Sequence, residues 1–177
     1  MWELRSEQAA DTAAVEALVT ATFGPGRLAK TAYRLREGVD PVPELSFVAV
    51  STADKQLIGS VRFWPVSVGG KPSLLLGPLA VRPDLRGQGI GIALMQFALE
   101  TARTLPFETV ILVGDEPYYA KVGFARLPPG RLRFPGPVDP SRVLGLSLVP
   151  GALLTLSGQV LRAPLNHPVA APSAAIG

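Results

Sequence analysis

The sequence predicts an α/β (α+β) domain built on a mixed, mostly antiparallel sheet flanked by helices. Three observations carry that prediction. Between Leu45 and Val81, strand-like runs alternate with short hairpin turns, the signature of a meander. A glycine turn at 86–91 then joins the last of these runs to an apolar helix and a buried strand, which is a right-handed βαβ crossover by default. Finally, 177 residues with 47% apolar and 18% charged side chains suit one domain with a real core rather than a disordered chain.

Taken in order, Trp2–Arg5 alternates apolar and polar and reads as a short strand. Asp11 is a plausible cap for the helix that follows, where Ala14, Val15, Leu18, Val19 and Phe23 share one face. Gly24-Pro25-Gly26 ends it, and a weaker helix is expected over Arg27–Arg36, stopping at Gly38. Leu45–Ser51 and Leu57–Val68 form strands around the turn Thr52-Ala-Asp-Lys55. Gly59 and Pro65 mark bulges or an edge in the second strand. Gly69-Gly70-Lys71-Pro72 turns the chain into the next strand, which ends at Val81.

After the glycine turn, Ile90, Ala93, Leu94, Phe97, Ala98 and Thr101 line one stripe, widened by Ile92, Met95, Leu99 and Ala102. Such a helix is buried. Leu105-Pro106 ends it, and Glu108–Val113 reads as a central strand buried on both faces. Asp115 or Glu116 caps a short helix with Pro117 in its first turn, closed by Gly123. Beyond that, glycine and proline break the chain repeatedly. Arg131–Phe134, Arg142–Leu148, Ala152–Leu156 and Gln159–Leu161 are expected as short strands. The domain is read as 1–162, with a C-terminal strand extension from about 125 and a surface tail at 163–177.

The chain has no cysteine and one histidine, His167, in the tail. Disulfides, thiolate metal sites, a cysteine nucleophile and histidine-based triads are thereby excluded, and no metal site is expected. The net charge of +3 is spread without a long basic run, which argues against nucleic acid. No apolar run approaches the ~20 residues of a membrane span, and the N-terminus lacks an apolar signal core. A cytoplasmic protein is expected.

The chemistry gathers at the glycine turn. A turn feeding a helix N-terminus leaves unpaired amides at the positive end of the helix dipole, an arrangement suited to phosphate. Arg82 and Arg86 flank it and add charge. A Walker loop is ruled out because Gly-Lys-Ser/Thr does not occur. A dinucleotide fingerprint fails too, because the third glycine is replaced by Ile92; Glu108 stands where a ribose-binding acid would, by coincidence. What remains is Arg86-Gly-Gln-Gly89-Ile-Gly91, an Arg/Gln-x-x-Gly-x-Gly/Ala pattern.

With Leu79-Ala80-Val81 before it, the segment Arg86-Gly-Gln-Gly-Ile-Gly-Ile92 resembles the acyl-CoA motif of the GNAT superfamily of N-acetyltransferases. Tyr119-Ala-Lys-Val-Gly-Phe124 resembles its Tyr-x-x-x-Gly-Phe motif. The likeness spans Leu45–Phe124. It implies a splayed sheet with acetyl-CoA as co-substrate lying between the strand ending at Val81 and the strand ending at Val113. It further implies that the pantetheine arm pairs with Leu79, Ala80 and Val81, and that the pyrophosphate rests on Arg86, Gly87, Gln88, Gly89, Ile90, Gly91 and Ile92. Tyr119 matches the family's general acid, which would protonate the departing thiolate, although Tyr118 stands beside it as an alternative. The base stays open among Glu44, Asp84, Asp115, Glu116 and a water chain.

The function so implied is direct acetyl transfer to a primary amine, on a small molecule or a protein. The alternative is a catalytically silent acyl-CoA-binding regulatory module, and a nucleotide-binding oxidoreductase is a distant third. Arg62, Arg131 and Arg133 could face an anionic substrate but are expected to be solvated strand charges. The segment after Phe124 is expected either to complete the acceptor site or to meet a second copy of the chain, as in a homodimer.

Overall fold

The computed structural model describes residues 1–24 and 30–165. Nine strands are present among them: β1 (Trp2–Ser6), β2 (Phe47–Ser51), β3 (Leu57–Val68), β4 (Lys71–Val81), β5 (Thr109–Val113), β6 (Ala125–Arg126), β7 (Leu132–Arg133), β8 (Val143–Ser147) and β9 (Gly158–Arg162). The helices are α1 (Thr12–Phe23), α2 (Thr31–Arg34), α3 (Ile90–Ala102) and α4 (Glu116–Tyr119). The sheet runs in the order β1-β2-β3-β4-β5-β8-β6, and β9 joins β3 and β7. All its pairs are antiparallel except β4 with β5 and β7 with β9. This is the mixed, mostly antiparallel sheet the sequence predicts.

Alternation along the strands sorts the core into two faces. Phe47, Ala49, Val61, Phe63, Leu74, Leu76, Val110 and Leu112 pack under α3 with Ile90, Leu94, Met95 and Ala98. Gly59 makes the close approach possible: a Cβ there would lie 3.1 Å from both Ile90 Cγ2 and Leu94 Cδ1. On the opposite face, Val48, Val50 and Ala80 pack against Val15, Leu18 and Val19 of α1. Further along that face, Trp64, Leu75 and Ile111 meet Leu35, Val39 and the C-terminal strands. Pro65 is tolerated because β2 pairs with β3 only from Leu57 to Val61 and β9 only from Val66 to Val68, so it falls between two partners.

The parallel pairing of β4 and β5 stops almost as soon as it starts, at Leu74 with Val110 and Leu75 with Ile111. Beyond those residues the two strands splay. On its other edge β4 stays paired with β3 through Val61↔Leu79, Ser60↔Ala80 and Gly59↔Val81, with an irregularity opposite Gly77-Pro78. The Leu79–Val81 edge facing β5 therefore has no strand partner among the described residues.

Three expectations are corrected. Ala152–Thr155 is a 3-10 turn rather than a strand; Gly151, at φ 80°, starts it, and the short apolar run gave no period to tell turn from strand. The helix expected over Arg27–Arg36 is described only as α2, Thr31–Arg34, and residues 25–29 lie outside the described residues. Arg62 is not a solvated strand charge: it is 8% exposed, donates through Nε and Nη2 to the Glu7 carboxylate at 3.0 and 2.6 Å, and through Nη1 to Glu16 at 2.9 Å. Most of the expected 163–177 tail, including His167, also lies outside the described residues. No helix among the described residues is long and apolar enough to cross a membrane.

Candidate active site

The splay opens two cavities that meet. One, of about 570 Å³, is bordered by Leu79 and Val81 of β4, by Arg86, Gly87, Gly89, Ile90, Gly91 and Ile92 of the turn and α3, and by Lys121. The other, of about 270 Å³, lies between Leu76–Leu79 and Leu112–Asp115 and is walled by Tyr33, Arg36 and Arg142. Phe23, Leu79, Asp115, Tyr118 and Tyr119 border both, so the two spaces touch at the tyrosine pair.

The cradle is built as its sequence requires. Gly87 and Gly89 have φ of 84° and 85°, a region other residues rarely adopt, and Gly89 is the N-cap of α3. The first amides of α3 have no intrahelical partner and head the positive end of a 13-residue helix. Gly91 lacks a side chain for a steric reason, since a Cβ there would run into the Tyr118 hydroxyl.

Eight of the ten predicted cofactor-binding residues border the larger cavity. The other two do not: Gln88 is exposed on the turn, and Ala80 is fully buried against α1. Arg82 also differs from expectation. Its guanidinium is engaged by Asp84 at 2.8 Å and it borders neither cavity, so among the described residues the cations at the larger cavity are Arg86 and Lys121.

Tyr118 and Tyr119 sit on α4 with ring centroids 5.1 Å apart, edge to face. Tyr119 also meets Phe124 edge-on at 6.1 Å, and its ring fills the space where a Gly114 side chain would begin. Burial pushes its phenol up to about 12, helped by Tyr118 and Asp115 and opposed by the guanidinium groups of Arg142 and Arg36. The Tyr118 phenol is raised as well, by burial. Of the four carboxylates considered as bases, Asp115 alone borders the cavities, and it accepts a 2.6 Å bond from Arg142. Glu116 is bound to Arg126 at 3.0 Å and Asp84 to Arg82; Glu44 is exposed on a 3-10 turn.

Two features of the site escape sequence reasoning. Arg36 reaches the smaller cavity from the end of the α2 segment, and its only trace in the sequence is a position on a weak helix. Arg142, from the segment after Phe124, closes the same cavity through Asp115. That segment also holds α2 in place: Thr31 Oγ1 donates to the Pro137 carbonyl at 2.6 Å, and Arg34 donates to Pro135 at 3.0 Å.

Comparison with known proteins places the chain in a family. The model of an acetyltransferase (GNAT) domain matches residues 44–126. An uncharacterized N-acetyltransferase of Escherichia coli K12, YhbS, is 34% identical over 123 residues, which is 68% of this chain and 72% of YhbS. The chain belongs to the GNAT family. A crystal structure of E. coli YhbS in complex with CoA superposes with a TM-score of 0.77 at 29% identity, covering 92% of this chain and 89% of that one. A GNAT acetyltransferase from Brucella melitensis, solved with acetyl-CoA, has a TM-score of 0.69 at 24% identity over 92% of this chain and shares the GNAT fold. Among the described residues, no group of three or more histidine, cysteine, aspartate or glutamate side chains could hold a metal.

Proposed function

We propose that this GNAT protein binds acetyl-CoA along the splay and transfers the acetyl group directly to a primary amine. The observation that carries the reading is the meeting of two cavities at Tyr119, one with a phosphate cradle and one without. A cofactor-only module has no use for the second. The CoA complex of YhbS supports assignment of the larger cavity to the coenzyme.

In this reading the pyrophosphate lies on the α3 amides beside Arg86, and the pantetheine arm runs along the unpaired edge at Leu79–Val81. The neutral amine enters from the smaller cavity and attacks the thioester carbonyl. As the C–N bond forms and the C–S bond breaks, Tyr119 gives its proton to the sulfur, and the nitrogen releases one to solvent that restores the phenol. With no cysteine in the chain, no cysteinyl acyl-enzyme intervenes.

Calorimetry tests the first half: coenzyme A is expected to bind the folded protein with one site per chain, and absence of binding overturns the reading. Thiol release from acetyl-CoA across an amine panel tests the second. A pH profile adds a check on the acid. A proton donor works in its protonated form, and a phenol held at about 12 keeps its proton throughout the neutral and mildly alkaline range. Thus kcat should not fall because of this group between pH 8 and pH 10.5, and a descending limb near pH 9 would assign donation elsewhere.

A further inference from the structure

Among the described residues, the smaller cavity contains a cation without a counterion. The Nε of Arg36 is enclosed and has no hydrogen-bond partner, while its guanidinium keeps partial contact with the cavity. Its Nη2 lies 2.7 Å from the point where a Gly77 side chain would begin, at the splay itself. Trp64 lies beneath the guanidinium at 5.8 Å from its ring centroid. Among the described residues no carboxylate pairs with it. The other cavity-lining cations do not change the balance. Arg142 is matched by Asp115, and Lys30 stands over Phe23 at 5.7 Å. The cavity therefore presents one largely desolvated positive charge without a counterion, at Arg36, while Lys30 is exposed to solvent.

Burial pushes Arg36 down to about 10, which leaves it charged at neutral pH. An enclosed guanidinium with a bare N–H is costly to fold around, and an incoming anion offsets that cost. Its planar fork suits the two oxygens of a carboxylate. Arg36 and Tyr119 line the same cavity, so an acceptor anchored at Arg36 lies in the space that opens onto Tyr119. A cavity of about 270 Å³ limits the acceptor to a compact molecule.

We infer that the acceptor is a small amine bearing a carboxylate, and that Arg36 is the residue that selects it by pairing with that group. This rests on the transferase reading above and deepens it. The alternative acceptor, a lysine side chain on a protein surface, brings no such anion and leaves Arg36 bare.

The test uses amines in pairs that share a carbon skeleton and differ in the anion, with kcat/KM compared per neutral amine: each amino acid against its carboxamide, and β-alanine against 3-aminopropanamide. Thiol release should favour the carboxylate member of at least one pair by about 100-fold in kcat/KM, the usual size of discrimination by a buried charged hydrogen bond. Arg36→Gln should collapse the carboxylate-to-carboxamide ratio towards one, whatever it does to the common rate, with coenzyme A affinity unchanged, and Arg36→Lys should keep part of the ratio. If Arg36→Gln fails to fold, the wild-type ratio and the lysine variant still decide. Equal handling of both members in every pair overturns the inference and leaves the transferase standing. Where no amine is acetylated, the same pairs are titrated into the coenzyme A-loaded protein. Binding that requires the carboxylate and disappears in Arg36→Gln keeps the anion site while the transferase reading fails; equal or absent binding of both members overturns the anion site.

Discussion

Replacing Tyr119 by phenylalanine is expected to lower kcat for amine acetylation by about 100- to 1,000-fold, the range for loss of a positioned acid, with coenzyme A affinity within about threefold. The substitution removes one hydroxyl and keeps the ring that packs on Gly114 and Phe124. The donor is not an easy one. A phenol near 12 gives its proton reluctantly to a thiolate whose conjugate acid lies several units lower, so transfer must be concerted with C–S cleavage. Arg142 and Arg36 help by stabilising the tyrosinate. Tyr118→Phe serves as the comparison: its hydroxyl lies against Gly91, so it should act on cofactor affinity more than on turnover. Single-turnover thiol release with both variants separates the two tyrosines. An unchanged rate in Tyr119→Phe removes it from the mechanism.

Arg62→Ala should destabilise the fold by about 3 to 5 kcal/mol, because it strands a buried partner. Glu7, whose side chain is 10% exposed, would lose both of its bonds to the guanidinium. The arm to Glu16 counts for little, since that carboxylate is 50% exposed and screened by water. For a chain of this length the loss corresponds to a fall in Tm of roughly 10 °C. Adding Glu7→Gln to Arg62→Ala should recover part of it by neutralising the stranded charge. Thermal denaturation of the single and double variants checks both statements, and a loss below about 1 kcal/mol in Arg62→Ala would show the pair to be dispensable.

The contrast between these sites explains what the sequence could and could not reveal. The cradle was legible because its parts are consecutive: β4, the turn at Arg86–Gly91, α3 and β5 follow one another, and positive φ at Gly87 and Gly89 demands glycine. The place of Tyr119 on the short helix after β5 was legible from its spacing to Gly123-Phe124. Arg62 was not, since its acidic partners stand 55 and 46 residues away and periodicity says nothing about such pairings. Arg36 was hidden for a related reason. Its environment is made by Trp64, Gly77 and Tyr119, brought together only when the sheet forms. The strand expected at Ala152–Leu156 failed because five residues are too few to distinguish strand from turn by pattern.

The bonds between α2 and the stretch around Pro135–Pro137 divide the protein into a half encoded locally and a half encoded by closure. Their partners are 106 and 101 residues apart, and Arg162 adds a third tie to the Glu37 carbonyl across 125 residues. The cavity at the glycine turn is bordered by none of the residues that make these ties, but the wall bearing Arg36 hangs on them. The Arg34 and Arg162 bonds are exposed to solvent, and such ties open in local fluctuations more readily than core strands. On the proposed reading, warming should therefore erase choice among acceptors before it erases grip on the coenzyme.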